Sequence, residues 1–295
     1  MKLGFYSNLL TFVNMRDTIN KIREKLSGIY PEQEAQNLLR IIIEYATGQS
    51  LPTLLSDKNK QITALQKQNI DEIIDRLLTH EPIQYITGET EFFGSPFVIN
   101  KNVLIPRPET EELVELILNE NKIDNPQILD IGTGSGGVAV SLKKHISKAI
   151  VEAWDFSEEA LDVAELNAKQ NSTEIIFKRV DVLKNYPTDN RFDIIVSNPP
   201  YVLESEKQDM DANVLSFEPH SALFVPDSNP LLFYERIAEI SKSLFNKKGM
   251  LYFEINQKKG NDTVELLREK GYINIKLIKD MTGNDRIVKA EYNIL

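Results

Sequence analysis

Ile128-Leu129-Asp130-Ile131-Gly132-Thr133-Gly134-Ser135-Gly136-Gly137 reads as a strand, a glycine-rich turn and the start of a helix. Glycines let a backbone turn sharply and come close to a ligand. The segment satisfies G-x-G-x-G, the pattern of methyl-donor sites. Through Gly132, Gly134 and Gly137 it also satisfies G-x-G-x-x-G, the dinucleotide fingerprint. Taken alone it leaves both readings open. From Gln127 onward, strand and helix patterns alternate: strands at 127–131, 149–154, 174–179, 192–197, 249–255, 272–278 and 286–292, helices at 137–146, 158–170, 230–245 and 261–270. Such alternation predicts an α/β domain with a mostly parallel, seven-stranded Rossmann-like sheet covered by helices on both faces. Ligands of such sheets lie outside the carboxyl ends of the strands. Gly132, Asp155, Asp181 and Asn198 each fall just after a strand, so one crevice would collect all four.

The second informative stretch closes the fourth strand. Phe192-Asp193-Ile194-Ile195-Val196-Ser197 is followed by Asn198-Pro199-Pro200-Tyr201. Two prolines cannot extend a strand, because each lacks an N–H and has a fixed φ. The chain must stop at Asn198 and leave in a stiff, extended form. The Asn198 side chain and the Pro199 carbonyl then offer acceptors to a flat NH2 group, with an aromatic ring at Tyr201. That arrangement suits methylation of an amide or an exocyclic amine, and nicotinamide enzymes have no use for it at this place. Asp155 can accept from both ribose hydroxyls of a nucleoside, in either cofactor class, or serve as a charge at the helix start before Ser157. Asp181 can reach an adenine amino group, with Val182 against the ring, or be an ordinary loop residue.

The chain has 295 residues, 26% of them charged, a formal net charge of −10 and no cysteine. The length suits two domains or one large one. The acidic balance disfavours non-specific binding of nucleic acid, which needs Lys and Arg facing phosphates. Disulfides, thiolate metal sites and cysteine nucleophiles are excluded. His80, His145 and His220 are far apart and show no metal-ligand spacing, so no metal is expected. No apolar run approaches the length of a membrane span. Ser7, Asn8 and Asn14 interrupt a mildly apolar start, which argues against a signal peptide and for a cytoplasmic protein.

Residues 1–15 read as an extension without order. Residues 16–82 carry helical periodicity, with Ile19, Ile22, Leu26 and Ile29, then Leu38, Leu39, Ile42 and Ile43, then Ile70, Ile73, Ile74, Leu77 and Leu78. A small helical bundle without chemistry of its own is expected there. Residues 83–105 mix Gly with aromatic and β-forming residues, which predicts a β-hairpin linker. The methyltransferase-like part then runs over 106–295. Arg107 is held rigidly between Pro106 and Pro108, where it is free to grip an acidic partner or brace a junction.

Several segments, in order, resemble the release factor glutamine methyltransferase (HemK) family. They are Glu81-Pro82-Ile83-Gln84-Tyr85-Ile86-Thr87-Gly88, Phe92-Phe93-Gly94, Leu104-Ile105-Pro106-Arg107-Pro108-Glu109-Thr110-Glu111, the Gly132–Gly137 turn, Asn198–Tyr201, and Phe217-Glu218-Pro219 with Ala222-Leu223-Phe224. The glycine turn and the Asn-Pro-Pro-Tyr loop are shared with many amino-methyltransferases, whereas the Pro-Arg-Pro-Glu-Thr-Glu run is more specific. The resemblance implies a class I methyltransferase domain behind a helical domain that docks substrate. It implies methyl transfer from S-adenosylmethionine, leaving S-adenosylhomocysteine, to the glutamine amide of the Gly-Gly-Gln loop of peptide chain release factors. By the same analogy Gly132, Thr133, Gly134, Ser135, Gly136, Asp155, Asp181, Val182 and Asn198 would meet the donor. Asn198, Pro199, Pro200, Tyr201 and Arg107 would meet the acceptor, with Asn198, Pro199 and Tyr201 forming the catalytic loop. Two departures stand out: Val225-Pro226-Asp227-Ser228-Asn229 replaces a glycine-rich turn, and residues 1–14 match nothing. The alternatives are a nucleic-acid adenine or guanine amino-methyltransferase, which shares both common motifs, and a non-catalytic adaptor. The charge and the intact Asn198 argue against them respectively.

Overall fold

The computed structural model describes residues 12–57 and 59–294, which divide into two compact units with the break between Thr87 and Gly88. The first unit comprises β1 (Phe12–Asn14), α1 (Met15–Ser27), α2 (Glu32–Thr47), α3 (Leu51–Ser56), β2 (Gln61–Thr63), α4 (Ala64–Leu77) and α5 (Ile83–Thr87). Its core is the apolar stripe of each helix: Ile19, Ile22 and Leu26 meet Leu38, Leu39, Ile42 and Ile43, and Ile70, Ile74 and Leu77. The helix starts are chemically specified. Asn14 Oδ1 accepts from Arg16 N at 2.9 Å, and Thr63 and Gln66 satisfy each other's backbone N–H groups in a capping box.

The second unit continues with β3 (Glu89–Phe92), β4 (Ser95–Val98), α6 (Pro108–Glu120), β5 (Gln127–Ile131), α7 (Gly137–His145), β6 (Ile150–Asp155), α8 (Glu158–Gln170), β7 (Ile176–Arg179) and β8 (Phe192–Ser197). It ends with β9 (Val202–Leu203), α9 (Ala212–Phe217), β10 (Phe224–Val225), α10 (Leu232–Leu244), β11 (Phe245–Glu254), α11 (Gly260–Glu269), β12 (Ile273–Lys279) and β13 (Asp285–Asn293). Its main sheet has seven strands in the order β12-β13-β11-β8-β5-β6-β7. All neighbours are parallel except those of β13, which runs antiparallel to both β11 and β12. The order reverses between β5 and β8, so the crevice of a doubly wound sheet opens at their carboxyl ends. The buried side chains Leu129 and Ile195 belong to the core on one face, and Ile128, Ile194 and Val196 to the core on the other. This two-sided burial explains the near-continuous apolar runs of the central strands.

Three expectations need revision. Residues 12–14, placed in an extension, form β1 and pair antiparallel with β2, Val13 opposite Ile62; residues 1–11 lie outside the described residues. Ile29 lies beyond the end of α1 and is exposed. The segment 83–105 is no linker. Residues 83–87 are helical and belong to the first unit, while the β3–β4 hairpin is integral to the second. Phe92 and Phe97 are buried in the core of that unit, which fixes the hairpin there. Among the described residues no helix is long and apolar enough to cross a membrane.

Candidate active site

A cavity of about 370 Å³ opens at the switch point between β5 and β8. Its floor is the glycine turn. Gly132 and Thr133 donate backbone N–H bonds to Trp154 O at 2.8 and 3.0 Å, which ties the end of β5 to β6. Gly134 has φ +54°, a left-handed conformation that side chains disfavour, and nothing lies within 4 Å of where its Cβ would be. The same empty space surrounds Gly132 at φ +75°. Ser197 Oγ donates to Ile131 O at 2.6 Å and joins the ends of the two strands that flank the crevice.

Two carboxylates face this floor. Asp155 Oδ2 accepts from Gly134 N at 2.9 Å and Oδ1 from Ser157 N at 3.0 Å, so one side chain holds both the turn and the start of α8. Burial raises its carboxyl above the ordinary value, and the backbone N–H groups of Ser157, Gly134 and Phe156 oppose that. Asp130 is fully buried, and desolvation pushes its carboxyl up to about 7 despite the 2.6 Å hydrogen bond from Thr133 Oγ1. Asn167, also fully buried, makes three bonds: Val98 N to its Oδ1 at 2.6 Å, and its Nδ2 to Val98 O at 2.8 Å and Ser135 O at 2.9 Å. It ties the hairpin to the glycine turn.

The loop after β8 forms the opposite wall. Asn198, Pro199 and Pro200 line the cavity. Asn198 Nδ2 donates to Thr110 Oγ1 at 3.2 Å, which leaves the amide oxygen as the atom available to a ligand. Tyr201 and Val202 donate backbone N–H bonds to Leu223 O, and β9 pairs with β10. The variant turn at 225–229 closes through Asn229 N to Pro226 O at 3.0 Å, and Asp227 Oδ1 accepts from Ser205 Oγ at 2.6 Å. Arg107 lines the cavity and pairs with the buried Glu218 at 2.5 Å, while Glu218 Oε2 also accepts from Ile105 N. Asp181 and Val182 line the far end; Asp181 caps its own turn through Leu183 N, and Arg236 Nε holds Val182 O at 2.7 Å.

Gly132, Thr133, Gly134, Ser135, Asp155, Asp181, Val182, Asn198, Pro199, Pro200 and Arg107 therefore share one cavity. Two expected residues stand apart. Gly136 is spent on packing, since a Cβ there would meet Ala164 Cβ at 3.2 Å. Tyr201 turns into the core, where its hydroxyl donates to Glu254 Oε1 at 3.2 Å. Burial, followed by the Glu254 charge, raises its phenol well above the usual value, which keeps the hydroxyl protonated as a donor to Glu254. Sequence reading assigned nothing to Asp130, Thr110, Asn167, Arg236 or Glu254. Of these, Asp130 and Thr110 lie within the glycine-turn and Pro-Arg-Pro-Glu-Thr-Glu segments; the other three carry no local sequence signal.

Comparison with known proteins fits this geometry. Family profiles described as "PrmC N-terminal domain" and "methyltransferase small domain" match residues 17–88 and 109–218. A release factor glutamine methyltransferase of Bacteroides thetaiotaomicron is 46% identical over 91% of this chain and 97% of its own length. The chain belongs to the release factor glutamine methyltransferase family. A second such relative, from Flavobacterium psychrophilum, is 44% identical over 91% of this chain and 96% of its own. A solved methyltransferase structure from Pyrococcus furiosus aligns with TM-score 0.52 and 19% identity over 75% of this chain and 98% of its own, a likeness of fold.

As a member of this family the protein is an S-adenosylmethionine-dependent methyltransferase. The residues present fit the donor: the open space over Gly132 and Gly134 takes a close-lying ligand, and the buried Asp130 carboxylate suits a cation. The titration of Asp130 gives a testable sign. Above about pH 7 the group is ionised and ready for a cationic ligand; below it, a proton must first be displaced. Calorimetric titration should show a donor dissociation constant that is flat above about pH 7 and rises by up to about tenfold per unit below it. In ligand-free protein the raised folded-state value favours stability below 3.8, and this contribution is lost as pH rises through about 7.

Proposed function

We propose that the protein transfers a methyl group from S-adenosylmethionine to the side-chain amide nitrogen of the glutamine in the Gly-Gly-Gln loop of peptide chain release factors. The observation that carries this reading is the Asn198 amide, anchored through its nitrogen with its oxygen left for a ligand, at the same cavity as the glycine turn. When bound, the donor supplies an electrophilic methyl on a sulfonium. Gly132, Thr133, Gly134 and Ser135 would give it a close-fitting floor, Asp155 would accept from its ribose, and Asp181 and Val182, at the far end of the same cavity, would border its adenine.

A carboxamide nitrogen is a weak nucleophile, because its lone pair is delocalised into the carbonyl. The Asn198 oxygen and the Pro199 carbonyl accept the two amide protons, which aims the nitrogen and polarises its N–H bonds. Among the described residues nothing donates a hydrogen bond to either oxygen, so both are open to an incoming N–H donor. Near-attack positioning supplies about 7–11 kcal/mol. A general base supplies about 10²–10⁴-fold, roughly 3–5 kcal/mol. With Tyr201 engaged in the core, orientation carries most of the rate and the proton leaves late, to water. Pro200 and Arg107 border the acceptor.

The helical unit is the docking element for the protein substrate, and the enzyme would work in the cytoplasm, where release factors act. The net charge of −10 suits a protein partner better than nucleic acid. Incubation with purified release factor and S-adenosylmethionine, followed by peptide mass mapping, should place one added methyl on the loop glutamine. A short Gly-Gly-Gln peptide, lacking the docking contacts, should be a poorer substrate than the whole factor. Methyl found only on nucleic acid bases, with none on the glutamine, would defeat the proposal.

A further inference from the structure

An asparagine amide presents either its oxygen or its nitrogen to a ligand, and the two ends differ little in shape. For an acceptor that is itself an NH2 group, only the oxygen is productive; the reversed amide sets donor against donor. Something must therefore choose between the two orientations. In this structure Asn198 Nδ2 meets Thr110 Oγ1 at 3.2 Å, and Thr110 Oγ1 meets Glu254 Oε2 at 2.6 Å. The Tyr201 hydroxyl takes the other carboxylate oxygen, Oε1. Glu254 is fully buried and stands at the end of β11, beside β8.

The chain of bonds has a direction. Ionised Glu254 only accepts, so Thr110 spends its single proton on it. Burial raises this carboxyl, while the Thr110 hydroxyl, Arg286 and the Tyr201 hydroxyl oppose that and favour the charged form. What Thr110 then offers Asn198 is a lone pair, which can hold the amide nitrogen but not the amide oxygen. We propose that Glu254 and Thr110 are positioning residues whose fixed hydrogen-bond polarity selects the productive orientation of the Asn198 amide. The inference rests on the proposed methylation of a glutamine amide. It also gives a purpose to the inward turn of Tyr201. Its hydroxyl engages Glu254, and its backbone O accepts from Asn256 Nδ2 at 3.1 Å, so the end of β11 grips the loop that carries Asn198. The charged and titratable groups around Glu254 are Arg286 on β13, Glu109 on α6, Tyr201 and Tyr234.

Thr110→Val keeps the shape and removes the hydroxyl; Thr110→Ser restores it. With donor saturating, Thr110→Val should lose about 10–100-fold in kcat on release factor while the donor dissociation constant stays unchanged, and Thr110→Ser should recover most of the rate. Glu254→Gln, whose amide nitrogen can donate to Thr110 and reverse the chain of bonds, should show the same split between kcat and donor binding. Thermal unfolding identifies any variant that has lost its fold. In that event neutron diffraction on the wild-type protein decides, with deuterons expected on Asn198 Nδ2 facing Thr110 and on Thr110 Oγ1 facing Glu254. Wild-type kcat in Thr110→Val, equal damage in Thr110→Ser, or a reversed Asn198 amide in the neutron map would overturn the proposal. Failure of the wild-type enzyme to methylate glutamine at all would instead remove the proposed function, and the neutron map would still report on the relay.

Discussion

Asn198→Ala should leave donor binding intact and lower turnover by about 10²–10³-fold, the range seen when one preorganised polar group is taken from a reaction centre. The reason is local. Alanine removes the acceptor that aims the substrate nitrogen, but Asp155, the glycine turn and the Asp181–Val182 segment remain as they are. Asn198→Asp is the sharper comparison, because it keeps an oxygen in place but sets a carboxylate beside the Thr110 hydroxyl. That hydroxyl then has two anionic acceptors and one proton. Rapid-quench turnover at saturating donor, paired with calorimetry, checks both halves. An alanine variant with turnover near the wild type would remove residues 198–201 from the chemistry altogether.

Asp155→Ala should produce the opposite pattern: donor affinity is expected to fall by about 100-fold, and kcat at saturating donor to change much less. A hydrogen bond to a charged group contributes about 1.5–3 kcal/mol, and 1.4 kcal/mol is a tenfold change in affinity. Asp155 would make such bonds to a ribose while also holding Gly134 N and Ser157 N. Removing it therefore loses the contact and frees the turn together. Asp155→Asn keeps one acceptor oxygen and should fall between the two. Equal donor affinity across wild type, Asn and Ala would show that the ribose sits elsewhere.

Those two residues were legible in the sequence because strand ends are legible. Ile194-Ile195-Val196 and Ile128-Leu129 are apolar on both faces, and proline or glycine marks where each run stops. The alternation then places Asp155 and Asn198 in one crevice without further information. Direction of side chains was another matter. The inward turn of Tyr201 is set by Glu254, which lies 53 residues downstream, and the role of Thr110 by the same carboxylate, 144 residues away. No local pattern carries such pairings. The three-residue partners β1 and β2 and the two-residue partners β9 and β10 are too short to show alternation. β11 begins at Phe245, but its sequence pattern starts only at 249, because Asn246-Lys247-Lys248 breaks the apolar run at the point where the register with β8 shifts.

The triple bond set of Asn167 limits how this enzyme can be recombined with its relatives. Residues 89–98 look like an interchangeable module by their place in the chain, yet Val98 shares its backbone groups with the same side chain that fixes Ser135. A chimera that exchanges the hairpin must carry a matching residue at 167, or the cavity at the glycine turn inherits a loose edge.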